Sequence, residues 1–124
     1  MAACKLTPMA LDLLKRVVKY RRFCTDRIHM LYGTMLAQKV NYHSKPGLLL
    51  LRKQNHIFGI VERIDAVFKD QIESQIYKDA GVYYLKDETI RETFELNLYH
   101  LLTYLSNIIL ELDKRSKPSY HSLD

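Results

Sequence analysis

Histidine, cysteine and carboxylate side chains are the residues of this sequence that could carry out chemistry. The histidines are His29, His43, His56, His100 and His121. An imidazole can bind a metal ion or transfer a proton near neutral pH. In an up-down-up bundle, His29 and His56 would reach similar heights on neighbouring helices. A metal site needs three or four converging ligands, so we expect solvated or hydrogen-bonded histidines and predict no metal and no cofactor.

The motifs of common catalytic sites do not occur in the sequence. There is no phosphate-binding loop, no Gly-x-Ser-x-Gly and no dinucleotide-binding glycine pattern. A di-iron bundle uses repeated Glu-x-x-His pairs. This sequence has none, and the single Asp-x-x-His at 26–29 resembles that motif only weakly. Cys24 falls on an apolar helical stripe, which favours a buried thiol. Glu88, Glu92 and Glu95 lie near a predicted helix start and stabilise its dipole. We therefore predict that the protein is not an enzyme.

The sequence LKRVVKYRRF, residues 14–23, carries five basic residues in ten. Residues 1–45 hold nine Lys and Arg against two Asp (+7), and the rest hold ten against twelve acidic residues (−2), giving the net charge of +5. Such a local excess can attract phosphate backbones or an acidic protein face. The candidate binding residues are Lys15, Arg16, Lys19, Arg21, Arg22 and Arg27, with Arg52 and Lys53 as further candidates.

Helical phase divides these cations. At 100° per residue, one strip holds Asp12, Lys15, Lys19, Arg22 and Asp26. The i,i+4 pairs Asp12–Arg16 and Arg22–Asp26 would each contribute a few tenths of a kcal/mol, so a salt-bridged solvent face is the alternative to a binding surface. Arg21 lies close to the apolar stripe and needs an anion there, from this chain or from a partner.

Apolar residues exceed what a simple bundle would bury. Residues 28–37 are apolar almost all round, and the last predicted helix has a second apolar stripe at its rear. Because such surfaces are uncommon in monomers, we predict a protein interface; the alternative is a thick monomeric core. The interface candidates are Met30, Gly33, Leu36, Ala37, Tyr83, Tyr84, Leu96, Tyr99 and Leu110. Polar residues such as Glu95 and Glu111 would be costly in lipid, so we predict no membrane partner.

These residues would be positioned by an all-α fold. We predict an elongated antiparallel three-helix bundle in a single domain, 1–124, with helices over about 8–40, 45–79 and 87–115 and a loose tail, 116–124. A break near residues 25–33 would give four helices. Thr7 and Pro8 can begin the first helix, and Gly81 can stop the second.

The predicted core faces follow the helical period. They are Ala10, Leu13, Val17, Tyr20, Cys24, Ile28, Leu31 and Met35 on the first helix; Leu50, Ile57, Val61, Ile64, Phe68 and Ile72 on the second; and Phe94, Leu98, Leu101, Leu105, Ile108 and Leu112 on the third. Short connections between such helices favour antiparallel neighbours.

Composition and motifs together indicate a class of function. Two cysteines form no disulfide framework, and no secretory signal is visible, so we expect a cytoplasmic or nuclear location. We predict a helical protein–protein interaction module that oligomerises or acts as a subunit or adaptor (a scaffold) of a larger intracellular assembly. The alternative is a nucleic-acid-binding accessory protein, for RNA or DNA, that contacts the backbone through its basic first helix.

Overall fold

The protein is mostly helical and carries a small β-sheet. The computed structural model describes residues 2–30, 56 and 59–116, with side chains up to Lys114. In chain order the elements are β1 (Cys4–Lys5), α1 (Pro8–Ile28), the α2 segment (helical residues 59–67 and the π-helical turn Phe68–Ile72), β2 (Ile76–Asp79), β3 (Val82–Leu85) and α3 (Arg91–Ser116). Single 3₁₀ turns, Glu73–Gln75 and Glu88–Ile90, precede β2 and α3. Residues 31–40 of the predicted first helix, 45–55 of the second and the tail 117–124 lie outside the described residues.

Side-chain caps fix where α1 and α3 begin. The hydroxyl of Thr7 accepts a hydrogen bond from the backbone N–H of Ala10 at 3.1 Å, and Pro8 occupies the first turn, as the sequence predicts. The carboxylate of Asp87 accepts hydrogen bonds from the backbone N–H and the hydroxyl of Thr89, at 3.0 and 2.7 Å. These bonds lower the pKa of Asp87. They open the 3₁₀ turn that leads into α3, close to the predicted start at residue 87.

The two longest helices run in parallel. Near their starts, the Thr7 hydroxyl donates a hydrogen bond to the carboxylate of Glu95 at 3.0 Å. Near their ends, Arg27 pairs with Asp113 at 3.0 Å. The α2 segment runs antiparallel to α1, because Val61 packs on the cluster that contains Ile28, at the end of α1, and the later residue Asp65 pairs with the earlier residue Arg21.

The helix predicted over residues 45–79 extends too far along the chain, because its last residues, Ile76–Asp79, form strand β2. β2 and β3 make a hairpin, and β1 pairs with the other edge of β3, giving an antiparallel sheet of order β1-β3-β2. Tyr77 and Tyr84 face each other across the hairpin with ring centroids 5.3 Å apart, a cross-strand aromatic pair that favours the sheet. Ala80 and Gly81 form the two-residue turn with φ of 50° and 80°, as a type I′ turn requires. The prediction of helix up to Asp79 is wrong, because Ile76–Asp79 forms β2.

One hydrophobic cluster holds the helices and the sheet together. Its largest side chains with less than 2% exposure are those of Val17, Cys24, Ile72, Leu85, Phe94, Leu98 and Leu105. Most of them lie on the predicted helical faces, while Leu85 comes from the sheet. This burial is the main stabilising term of the fold. Within the described residues, no helix is long and apolar enough to cross a bilayer.

Candidate interaction surface

Arg21 meets an anion of its own chain. Its Nε and Nη2 both donate to Oδ1 of Asp65, at 3.0 and 2.8 Å. Its guanidinium carbon also lies 4.6 Å from the centroid of the Phe68 ring. Because Asp65 and Phe68 both belong to the α2 segment, the arginine covers the edge of the core between two helices. Its charge is therefore engaged in packing this chain.

Two further candidate cations have carboxylate partners. Arg16 pairs with Asp12 at 3.1 Å, which confirms the predicted i,i+4 pair. More than half of each of these two side chains is exposed, so the pair contributes little to stability. Arg27 pairs with Asp113 and lies 5.2 Å from the centroid of the Phe23 ring. The Arg27–Asp113 pair therefore links the end of α1 to α3.

Three candidate cations remain exposed on α1 without a partner among the described residues. Lys15, Lys19 and Arg22 make no ion pair there, and the predicted Arg22–Asp26 pair does not form. Within the part of the chain that the structure describes, the α1 strip therefore carries three cations and one carboxylate, Asp26, that form no ion pair. Arg52 and Lys53 lie outside the described residues.

An apolar cleft lies between α1 and α3, next to this strip. It has a volume of about 400 Å³ and is lined by Lys19, Tyr20, Phe23, Ser106, Ile109 and Leu110. No residue of the α2 segment lines it. Phe23 is 41% exposed and Leu110 is 59% exposed, so large apolar side chains stand open to solvent at its rim. The lining holds no nucleophile activated by a base, and its chemistry suits the binding of apolar side chains.

The interface candidates of α3 lie on the same side of that helix as the cleft. Leu96, Tyr99 and Leu110 are all more than half exposed, and helical spacing places them in one stripe. Met30, just after α1, is also mostly exposed. Gly33, Leu36 and Ala37 lie outside the described residues. The structure thus brings the rear stripe of α3 next to the cleft, which periodicity alone did not reveal.

The tyrosines of β3 serve the sheet. Tyr84 stacks on Tyr77, and the Lys78 ammonium lies 5.2 Å from the centroid of the Tyr83 ring. Both β3 tyrosines are half-buried. β3 lies just before the start of α3, whereas the α3 residues of the cleft lie in the second half of that helix. These tyrosines therefore do not share a surface with Leu110.

Sequence reasoning missed Phe23, which stands at the rim of the cleft. Phe23 lies within the basic stretch and outside the predicted core face of α1. Its spacing from Tyr20 gives one available clue, since residues three apart are neighbours on a helix. Its position opposite Leu110 depends on how α1 packs against α3, which the sequence pattern does not specify.

The histidines of the described chain lie apart from one another. No group of three His, Cys, Asp or Glu within residues 2–30, 56 and 59–116 could hold a metal ion. His29 and His56 are exposed, and the ring of His100 contacts that of Tyr99. His56 lines a separate cleft of about 270 Å³ with Glu111 and apolar residues. His43 and His121 lie outside the described residues.

Cys24 is buried in the core, as its helical phase predicts. Its side chain is 1% exposed and its Sγ donates to the Leu105 carbonyl at 3.8 Å. Burial raises the pKa of Cys24 to about 11, because the thiolate is disfavoured away from water. The thiol is therefore protonated and unreactive at neutral pH.

The surface formed by the α1–α3 cleft, the stripe of α3 and the unpaired cations of α1 is thus the leading candidate for function. Comparison of the chain with family models, with curated proteins and with solved structures finds no match.

Proposed function

We propose that the protein is a non-enzymatic interaction module that binds another protein through its α1–α3 surface, as a subunit or adaptor of a larger intracellular assembly or as an oligomer. The observation that carries this proposal is the exposure of Phe23 and Leu110 at the rim of the cleft. Apolar and aromatic side chains around a concavity are typical of the centres of protein interfaces. A covering partner would remove their surface from water.

The proposal includes an elongated antiparallel bundle of three helices as the scaffold. The parallel contacts between α1 and α3 and the antiparallel approach of the α2 segment support it. Ile64, Phe68 and Ile72 of the α2 segment belong to the same core as both long helices. Such a scaffold holds the two walls of the cleft at a fixed separation, which lowers the entropy cost of binding.

Nucleic-acid binding through α1 is the second candidate. Lys15, Lys19 and Arg22 are its support, because they are unpaired within the described residues. Arg16 and Arg21 are less suited to it, since each already meets a carboxylate. Three phosphate contacts would give a dependence of log K on log salt of roughly −2.7 for duplex DNA.

The test is the assembly state of the full chain with one substitution on the surface. Leu110→Glu places a charge in the apolar rim and should abolish oligomers or complexes recovered from the native source. Met9→Glu is the matched control, because Met9 is also an exposed apolar residue and neither lines the cleft nor neighbours the unpaired cations of α1. Light scattering gives the mass, and affinity purification gives the partners. A monomer without a reproducible partner, or an assembly unchanged by Leu110→Glu, would contradict the proposal.

A further inference from the structure

We propose that the occupant of the α1–α3 cleft is an acidic amphipathic helix of a different protein. This inference rests on the interaction function proposed above and names the chemistry of the partner. Three observations carry it: the shape of the cleft, the distribution of charge on its two sides, and the effect that a second copy of this chain would have there.

The cleft has the shape of a groove for a third helix. Its walls come from two helices that run in parallel, and its floor includes the half-buried Tyr20 and Ile109. Phe23 and Leu110 stand on opposite rims. A helix laid along such a groove would insert apolar side chains spaced three or four residues apart. The volume of about 400 Å³ lies within the range of pockets that enclose apolar ligand groups.

Charge is distributed unequally on the two sides of the groove. Lys19 lines the α1 side, and Lys15 and Arg22 share its strip without a carboxylate partner among the described residues. On the α3 side, residues 96–110 contain no Asp, Glu, Lys or Arg. A partner helix that fits therefore carries Asp or Glu on the edge facing α1 and an uncharged edge facing α3.

A second copy of the chain is a poorer occupant. A second copy paired through the same surface would add its own Lys19 and Arg22 to the interface, and the chain as a whole carries a net charge of +5. Like charges brought together at an interface weaken association. The phosphates of a nucleic acid would neutralise Lys15, Lys19 and Arg22, but a phosphate backbone offers no apolar surface that could pack against Leu110.

The experiment selects helical peptides on the full chain from a displayed library. The library has a fixed apolar stripe and Glu, Gln or Lys at the positions that flank it. We expect enrichment of peptides with Glu on one flank. We also expect binding to fall at least about tenfold with Phe23→Glu, because aromatic residues that a partner covers are frequent hot spots. Enrichment without an acidic excess, or equal binding to Phe23→Glu, would overturn the proposal. Met9→Glu, at an exposed apolar residue outside the cleft, should bind like the original chain.

A charge exchange tests the orientation of the partner. The double variant Lys19→Glu/Arg22→Glu should bind a selected acidic peptide about tenfold more weakly, and the peptide with its flanking Glu changed to Lys should recover binding. Lys69→Glu/Lys86→Glu is a matched control with the same net charge, because both lysines are exposed and neither lines the cleft or belongs to the α1 strip. Failure of the reversed peptide to recover binding would count against the proposed charge contact.

Two other outcomes separate this inference from the function on which it rests. A homodimer that is lost on Leu110→Glu would overturn the acidic-helix proposal and leave the interaction module intact. Binding of a 20-mer single-stranded RNA or a 20-base-pair DNA that is insensitive to Phe23→Glu, with no peptide selected, would overturn both. Selection of acidic peptides that bind the cleft supports both.

Discussion

Replacement of Arg21 by alanine should lower the free energy of unfolding by about 1–2 kcal/mol. The ion pair with Asp65 is partly screened by water, because the two side chains are 35% and 49% exposed, so it contributes about 0.2–1 kcal/mol. The contact with the Phe68 ring, at 4.6 Å, adds about 0.5–1 kcal/mol. Loss of the aliphatic stem over the core edge acts in the same direction.

Urea unfolding followed by circular dichroism measures the change. Arg22→Ala is the matched control, since it removes the same charge from the next residue, which has no ion-pair partner among the described residues, and it should change stability by less than about 0.5 kcal/mol. Arg21→Lys should recover only part of the loss, because an ammonium lacks the planar guanidinium face and fork.

A double-mutant cycle isolates the contact itself. Arg21→Ala and Asp65→Ala, alone and combined, should give a coupling energy of about 0.5 kcal/mol or more, as residues in direct contact do. Equal effects of Arg21→Ala and Arg22→Ala, together with additive effects of Arg21 and Asp65, would refute the assignment of Arg21 to packing. Arg21 would then return to the set of cations available to a partner.

Four further substitutions test the hairpin and the core. Gly81→Ala should cost about 1 kcal/mol and Ala80→Gly should recover a similar amount, because both positions have positive φ, where an L side chain is strained; thermal unfolding compares them. Stability should fall as pH rises from 9 towards about 11, because the pKa of Cys24 is higher in the folded chain than its ordinary value of 9.0 and the unfolded chain loses its proton first. Cys24→Ala should remove that slope, and a slope that persists would assign it to other groups. Leu98→Ala should cost about 2–5 kcal/mol in urea unfolding, because Leu98 is fully buried; a loss below about 1 kcal/mol would contradict its place in the core.

The periodicity of the sequence predicts α3 well. The structure has α3 over Arg91–Ser116 after a 3₁₀ turn, against the predicted helix over 87–115. The predicted face contains Phe94, Leu98 and Leu105, all fully buried. A long amphipathic helix repeats its apolar stripe many times, and the Asp87 cap marks its start, so local information is sufficient here.

The sequence does not predict the sheet, because its clearest local signal, Gly81, is compatible with two different structures. Gly81 can be the left-handed residue that ends a helix, and a two-residue hairpin turn needs positive φ at the same position. Residues 76–79 continue an apolar helical pattern as readily as they form a strand. β1 has only two residues, Cys4–Lys5, and its partner strand lies far along the chain, so no periodicity could reveal it.

The candidate surface depended on tertiary packing in the same way. The sequence indicates that Arg21 needs an anion and that α3 has a second apolar stripe. It does not specify that Asp65 supplies the anion, because the two residues lie on different helices and 44 positions apart. Nor does it specify that Phe23 faces Leu110 across a cleft, since that depends on the rotation of α1 against α3.

The pairing of β1 with β3 has a consequence for the order of folding. The β2–β3 hairpin closes over a two-residue turn, whereas the Cys4–Leu85 pair closes a loop of about 80 residues, which has a larger entropy cost. We therefore expect the hairpin to form early and β1 to dock late. The hydrogen bonds of Leu6 to Tyr83 and of Glu88 to Ala2 would form in that last step. Because the contacts of β1 form after the transition state, we expect them mainly to slow unfolding and to have little effect on the rate of folding.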